Sequence, residues 1–180
     1  MFRKDSLLRS GSALSLHELQ ESSCVEVVNL LVNPDFLARV RDRTGMLALD
    51  YIGAEDTFQI SLLYYGQPGD GIDWHFDGNI YLGKRWAGIF TLHEATGQAH
   101  SKLEVEQNGL VKTFPVGVVE NTLLVFQGDQ VKHRVRPMYE GEERLVVNMV
   151  FSDNPTQSQN PFLKGYQSLV NYFFYGKLKT

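Results

Sequence analysis

The chain has 180 residues, 43% hydrophobic and 21% charged, a composition that excludes a disordered or fibrous protein and suits one domain with a substantial core. The formal net charge of −4 and the absence of any Lys/Arg run exclude the electrostatic footprint of a nucleic-acid binder. A lone cysteine, Cys24, forms no intramolecular disulfide, and no stretch is apolar enough for a signal peptide or a membrane span, so the expectation is a cytoplasmic protein without a membrane partner.

In chain order, "DSLLRSGSALSLHELQESS" has scattered apolar positions and suggests a short helix or two, and "CVEVVNLLV" reads as a strand. "NPDFLARVRDRTG" reads as a helix, with Asn33 as its cap, Pro34 in its first turn and Gly45 at its close. The pattern then changes. From Thr57 onward "TFQISLLYY", "WAGIFTLHE", "KLEVEQ", "LVKTFPVG", "NTLLVFQ", "HRVRPM" and "RLVVNMVF" are short β-rich runs separated by turn residues, which suggests a sandwich or small barrel. Behind Asn160 and Pro161, the apolar residues Leu163, Tyr166, Val170 and Phe173 fall at helical spacing. The expected organisation is a helical scaffold over 1–56, a β core over 57–152 and a helix over 160–176, within one domain of 1–180. An exposed "NYFFYG" at the end would suit a homodimer; otherwise the chain is a monomer.

The chemistry concentrates in "IDWHFDGNIYLGKRW". In an extended segment side chains two apart share a face, so His75 and Asp77 converge as half of a metal site. Asp73 has the same spacing from His75 in the other direction. Among the remaining histidines, His17, His93 and His100 lack a clustered context. His133 follows a buried apolar strand and a Gly-Asp turn in "NTLLVFQGDQVKHRVRP", a turn that can fold it back onto the first ligand strand. Two imidazoles and a carboxylate on one face of an octahedral metal leave positions for exogenous ligands, the arrangement of non-haem Fe(II) oxygenases. A 2-oxo dicarboxylate chelating such a metal needs a distant cation for its far carboxylate. Arg144, opening the apolar strand "RLVVNMVF", is the candidate, with Val146 and Asn148 on its face.

This set resembles the signature of the Fe(II)/2-oxoglutarate-dependent oxygenases, in particular the compact prolyl-4-hydroxylase-like branch. It comprises His75-x-Asp77 with His133 and Arg144 in "VFQGDQVKHRVRPMYEGEERLVVNMVFS", and it is joined by "YYGQPGDGIDWHFDGN" and "GKRWAGIFTLHEA". The resemblance implies a mostly β fold with flanking helices, a double-stranded β-helix or distorted, cupin-like jelly roll. It implies Fe(II) on His75, Asp77 and His133, 2-oxoglutarate on Arg144, and O2 as oxidant. A carboxylate at Asp77 fills the position where related halogenases bind halide, which argues against halogenation. Two departures stand out. "TGQAHSKLEV" replaces the branch's Gly-Gly-Glu turn, and Val146 stands where many relatives place a Ser or Thr beside the Arg, so Tyr64 or Tyr65 becomes the expected helper hydroxyl.

The implied reaction is hydroxylation of an unactivated C–H in a small polar metabolite or amino acid, with Asn79, Tyr81, Arg85 and Asn148 as candidate substrate contacts. The alternatives are a peptidyl, prolyl-type hydroxylase and, from another class, a non-redox cupin-like metal- or ligand-binding module. A pure binding module has no need of a carboxylate anchor at Arg144.

Overall fold

A computed structural model describes residues 2–3, 5–6, 8–53, 59–163 and 165. Two antiparallel sheets face each other. The larger has seven strands in the order β1 (Phe2–Arg3), β3 (Ser12–Ser15), β5 (Ile60–Tyr65), β12 (Glu143–Ser152), β7 (Arg85–Ala95) and β10 (Leu123–Gln127), with β4 (Asp50–Tyr51) also paired to β12. The smaller has five, in the order β2 (Arg9–Ser10), β6 (Gly71–His75), β11 (Lys132–Val135), β8 (His100–Gln107) and β9 (Leu110–Pro115). Consecutive strands repeatedly pair across the molecule rather than with each other, as a rolled jelly roll requires. Among the described residues, no helix is long and apolar enough to cross a membrane.

Alternation along β12 divides the core. Val147, Met149 and Phe151 face the helices α1 (Leu16–Gln20), α2 (Val25–Val32) and α3 (Pro34–Thr44), packing with Leu16, Val28, Leu31, Leu37 and Val40. Val146 faces the smaller sheet, packing with Leu63, Tyr65, Leu103 and Val135. Arg144 is buried with it, as the shared-face reading of Arg144 and Val146 expects.

The segment "CVEVVNLLV" is the helix α2, not the expected strand. Its valines favour a strand locally, but Val28 and Leu31 are one helical turn apart and both bury against the sheet, and tertiary packing overrides β propensity. The Tyr51 hydroxyl donates to the Leu31 carbonyl at 2.8 Å, which satisfies one of the orphan acceptors at the end of α2. The expected helix over "NPDFLARVRDRTG" is α3, with the Asn33 side chain accepting from Asp35 N and Gly45 left-handed at φ 71°.

The N-terminal segment departs further from a helical scaffold. β2 and β3 lie in opposite sheets, and the chain crosses between them at Gly11, φ 148°. A Cβ at Gly11 would crowd the Tyr65 ring, at 2.9 Å from Cδ1, so glycine is needed here for both conformation and approach. Among the described residues before α2, the helix is Leu16–Gln20, opened by a capping box between Ser15 and Glu18. The helix expected over 160–176 falls almost wholly outside the described residues.

Candidate metal centre

β11 pairs antiparallel with β6 so that His133 lies directly opposite His75. The Gly-Asp turn therefore folds the second segment back as expected. The two imidazole centroids are 4.1 Å apart. Asp77 follows β6, and its backbone N–H donates to Gly128 O at 2.9 Å, which ties it to the turn that precedes β11. Asp77 Oδ1 lies 3.8 Å from His75 Nε2 and 3.9 Å from His133 Nε2. Among the described residues, these side chains form a group whose ligand atoms all lie within 4.8 Å of one another. That spacing suits three ligands on one face of a single ion.

The second ring nitrogens are also engaged. His75 Nδ1 donates to the Asp73 carbonyl at 2.7 Å, and His133 Nδ1 to the Val131 carbonyl at 2.9 Å, in the tautomer that leaves each Nε2 lone pair for a metal. Asp73 thus contributes its backbone, while its carboxylate turns back to Trp74 N. Phe126 packs edge-on against His133 at 4.9 Å. All three ligand side chains are at most 17% exposed, yet Phe76 between two of them is 50% exposed, so the centre sits just beneath the surface.

Burial, and then the neighbouring His133, push the His75 pKa down to about 4. Asp77 is also held low: burial would raise it, but Arg85, His133 and His75 outweigh that. Arg85 Nε is 3.5 Å from Asp77 Oδ2, the oxygen turned away from the histidines. The centre therefore holds His75 as a neutral imidazole beside the Asp77 carboxylate, the states in which each side chain can ligate a divalent cation. A pH consequence follows for the metal-free protein. The unfolded His75 binds its proton near 6.5 and the folded one only near 4, so between these values the unfolded state carries the extra proton. Stability should then fall as pH drops through that window, by about 3 kcal/mol in total. Melting curves of chelator-treated protein from pH 7 to 4 measure this, and His75→Gln should flatten the slope.

Gly128 is a site residue that sequence reading missed. A methyl group there would overlap the Asp77 carboxylate. The flexible side chain would yield more readily than the backbone, so Gly128→Ala should fold normally while binding Fe(II) or Co(II) at least about tenfold more weakly, the scale of outer-shell losses. Equal metal affinity in calorimetric titration would show that the contact is unimportant.

Arg144, near the start of β12, is 1% exposed. Its Nη1 donates to the Glu94 carboxylate and, at 3.0 Å, to Ser101 Oγ, while Nη2 donates to Thr91 Oγ1 at 3.3 Å. Thr91 is the cross-strand partner of Val146, so the hydroxyl missing from Val146 is supplied from the neighbouring strand. The two tyrosines point in opposite directions. Tyr64 reaches out to Glu143 Oε2 at 3.0 Å, away from the pocket. Tyr65 is fully buried beside Leu63 and Val146, with no acceptor for its phenol proton, and the Arg9 guanidinium lies 5.9 Å from its ring.

The expected substrate contacts divide likewise. Asn79 braces its own loop, bonding Gly83 O at 2.9 Å, Asp129 Oδ2 at 3.0 Å and Tyr81 N at 2.9 Å. Tyr81 packs in a separate cluster with Ile52, Ile80 and Val150. Residues 76–80 leave the strand conformation after His75, so these side chains are engaged by the loop and by that cluster. Arg85 adjoins Asp77, and Asn148, half-buried, pairs with Ile89 and Ser61 two residues beyond Val146. His17 and His93 make ion pairs at the surface, and His100 is exposed.

Fold and site together define a double-stranded β-helix carrying a 2-His-1-carboxylate triad. The fold is shared with a Pseudomonas putida prolyl-4-hydroxylase, at 17% identity and TM-score 0.55 over 85% of this chain and 76% of that one. It is shared with an oxidoreductase of the 2OG-Fe(II) oxygenase family from Burkholderia pseudomallei, at 16% identity and TM-score 0.57 over 86% and 67%. A third likeness is to EvdO2 from Micromonospora carbonacea var. aurantiaca in complex with 2-oxoglutarate, at 15% identity and TM-score 0.54 over 84% and 70%. No protein-family model matches the chain, nor does any curated protein sequence.

Proposed function

We propose that the protein is an Fe(II)- and 2-oxoglutarate-dependent dioxygenase that hydroxylates an unactivated C–H of a small polar molecule. The observation that carries this reading is the convergence of His75, Asp77 and His133 with both Nε2 atoms turned inward. The fold it shares with oxygenase structures, one of them holding 2-oxoglutarate, supports the same reading. Iron bound there would couple dioxygen activation to oxidative decarboxylation of a 2-oxo acid.

The chain's own residues divide the remaining work. The Asp73 and Val131 carbonyls fix the two imidazole tautomers, and Arg85 and Gly128 hold Asp77 with one oxygen toward the metal. Phe126 closes one side of His133 against water. In this reading Arg144 receives the far carboxylate of the 2-oxo acid and Tyr65 assists it; both are buried, and Tyr65 packs with Val146, Leu103 and Val135 in the inter-sheet core. Asp77 occupies a coordination position that halide transfer would need free, which favours hydroxylation.

For the substrate, Arg85, which adjoins Asp77, and Asn148, on the Val146 face of β12, are the contacts this reading favours, and they suit a small polar or anionic ligand. A peptidyl hydroxylase is the second reading, favoured by the likeness to the P. putida prolyl-4-hydroxylase. Succinate release, measured with pools of metabolites and with proline-containing peptides in the presence of Fe(II), 2-oxoglutarate and O2, separates the two. Stimulation by metabolites alone supports the first reading, stimulation by peptides alone the second.

A further inference from the structure

Arg144 already has an anion. Its guanidinium is paired with the Glu94 carboxylate, and both side chains are fully buried at 0% exposure. Glu94 is itself held firmly: Oε2 also accepts from Ser101 Oγ at 2.8 Å, and Oε1 accepts from Lys102 N at 2.6 Å. It reaches the interior because β7 carries a bulge. Val146 pairs with Thr91 but Leu145 pairs with His93, so Leu92 is the extra residue and the inward parity passes from Thr91 to Glu94. Arg144 therefore stands in a buried ion pair and is not a bare cation.

A 2-oxo acid with a second carboxylate, arriving at Arg144, would meet a fixed carboxylate on the same guanidinium. In a buried setting, where screening is weak, two carboxylates on one cation repel each other. A 2-oxo acid with a short uncharged tail escapes this repulsion. We propose that Glu94 determines cosubstrate selectivity, lowering the affinity for 2-oxoglutarate and opening the site to monocarboxylic 2-oxo acids. This rests on the reading of the pocket as a 2-oxo acid site.

Calorimetry of the Co(II)-loaded protein with 2-oxoglutarate and with 2-oxovalerate provides the test. The wild-type dissociation constants should lie within about tenfold of each other. Glu94→Gln keeps the shape and removes the charge, so it should bind 2-oxoglutarate at least about thirtyfold more tightly while 2-oxovalerate affinity changes little. A wild-type preference for 2-oxoglutarate of a hundredfold or more would overturn the inference while leaving the proposed activity standing, and that comparison does not depend on whether the variant folds. A Glu94→Gln protein that folds and binds 2-oxoglutarate no more tightly than wild type would also overturn it. If neither 2-oxo acid binds to the metal-loaded protein, the proposed activity itself fails, and the inference with it.

Discussion

His75→Ala and His133→Ala should each weaken Fe(II) binding by at least about a hundredfold, beyond the 10- to 100-fold typical of losing an outer-shell partner. The three ligand atoms lie within 4.8 Å of one another; among the described residues no other His, Cys, Asp or Glu joins that group, and Asp73 turns its carboxylate to Trp74 N. Both variants should keep the fold. His75 is neutral and lies near the surface, and His133 packs on the His75 ring and edge-on against Phe126 without belonging to the apolar core, so truncation removes little of that core. Anaerobic Fe(II) titration with circular dichroism as the folding control measures both effects, and unchanged iron affinity in either variant would remove that histidine from the centre.

The second large effect is on stability. Arg144→Ala strands the Glu94 carboxylate in a fully buried position, and breaking a buried pair from one side typically costs about 3–5 kcal/mol. Arg144→Ala should therefore lower the melting temperature sharply. The double variant Arg144→Met, Glu94→Met removes both charges and should recover most of the loss, because the desolvation penalty disappears together with the attraction. Arg144→Lys retains the charge but not the planar fork that reaches Glu94, Ser101 and Thr91 together, so it should fall between wild type and Arg144→Ala. Urea unfolding of wild type, Arg144→Met, Glu94→Met and the double variant closes the cycle and gives the coupling. An additive double variant would show that the pair acts through something other than its mutual contact. Iron affinity without cosubstrate should be nearly the same in Arg144→Lys and wild type.

The metal centre was legible because its geometry follows from local rules. Period-two alternation brings His75 and Asp77 together, and a Gly-Asp turn between two apolar runs returns His133 to the same strand pair. Alternation likewise put Arg144 and Val146 on one face. The same rule fails at Glu94. Counting from Ala87, Ile89 and Thr91, position 94 falls on the outward face, and only the bulge at Leu92 turns it in. Nothing in "TLHEA" announces that bulge, so the counter-ion of Arg144 could not be foreseen.

Other misses have different causes. Asn79 and Tyr81 stand out by polarity and closeness in sequence to His75 and Asp77, but residues 76–80 are not strand, and the two side chains engage the loop and a satellite core. Val25–Val32 read as a strand because β-branched residues dominate it, whereas its burial pattern is helical and is set by the sheet beneath. Gly128 reads in sequence as an ordinary turn residue. Its importance comes from the approach of Asp77 across the turn, a contact between residues 77 and 128 that the structure alone reveals. For the pair of tyrosines, the sequence supplied two adjacent candidates on one strand, and the structure buries Tyr65 while Tyr64 bonds Glu143.

The most direct measurement is an anaerobic titration of the purified protein with Fe(II), followed by 2-oxoglutarate, monitored by calorimetry in wild type and His75→Ala. We expect a single Fe(II) per chain, 2-oxoglutarate binding that appears only after the metal is bound, and loss of both in the variant. A wild-type protein that binds no Fe(II) at micromolar concentration, or that binds 2-oxoglutarate equally well with and without metal, would contradict the assignment of His75, Asp77 and His133 as the iron-holding centre of an oxygenase.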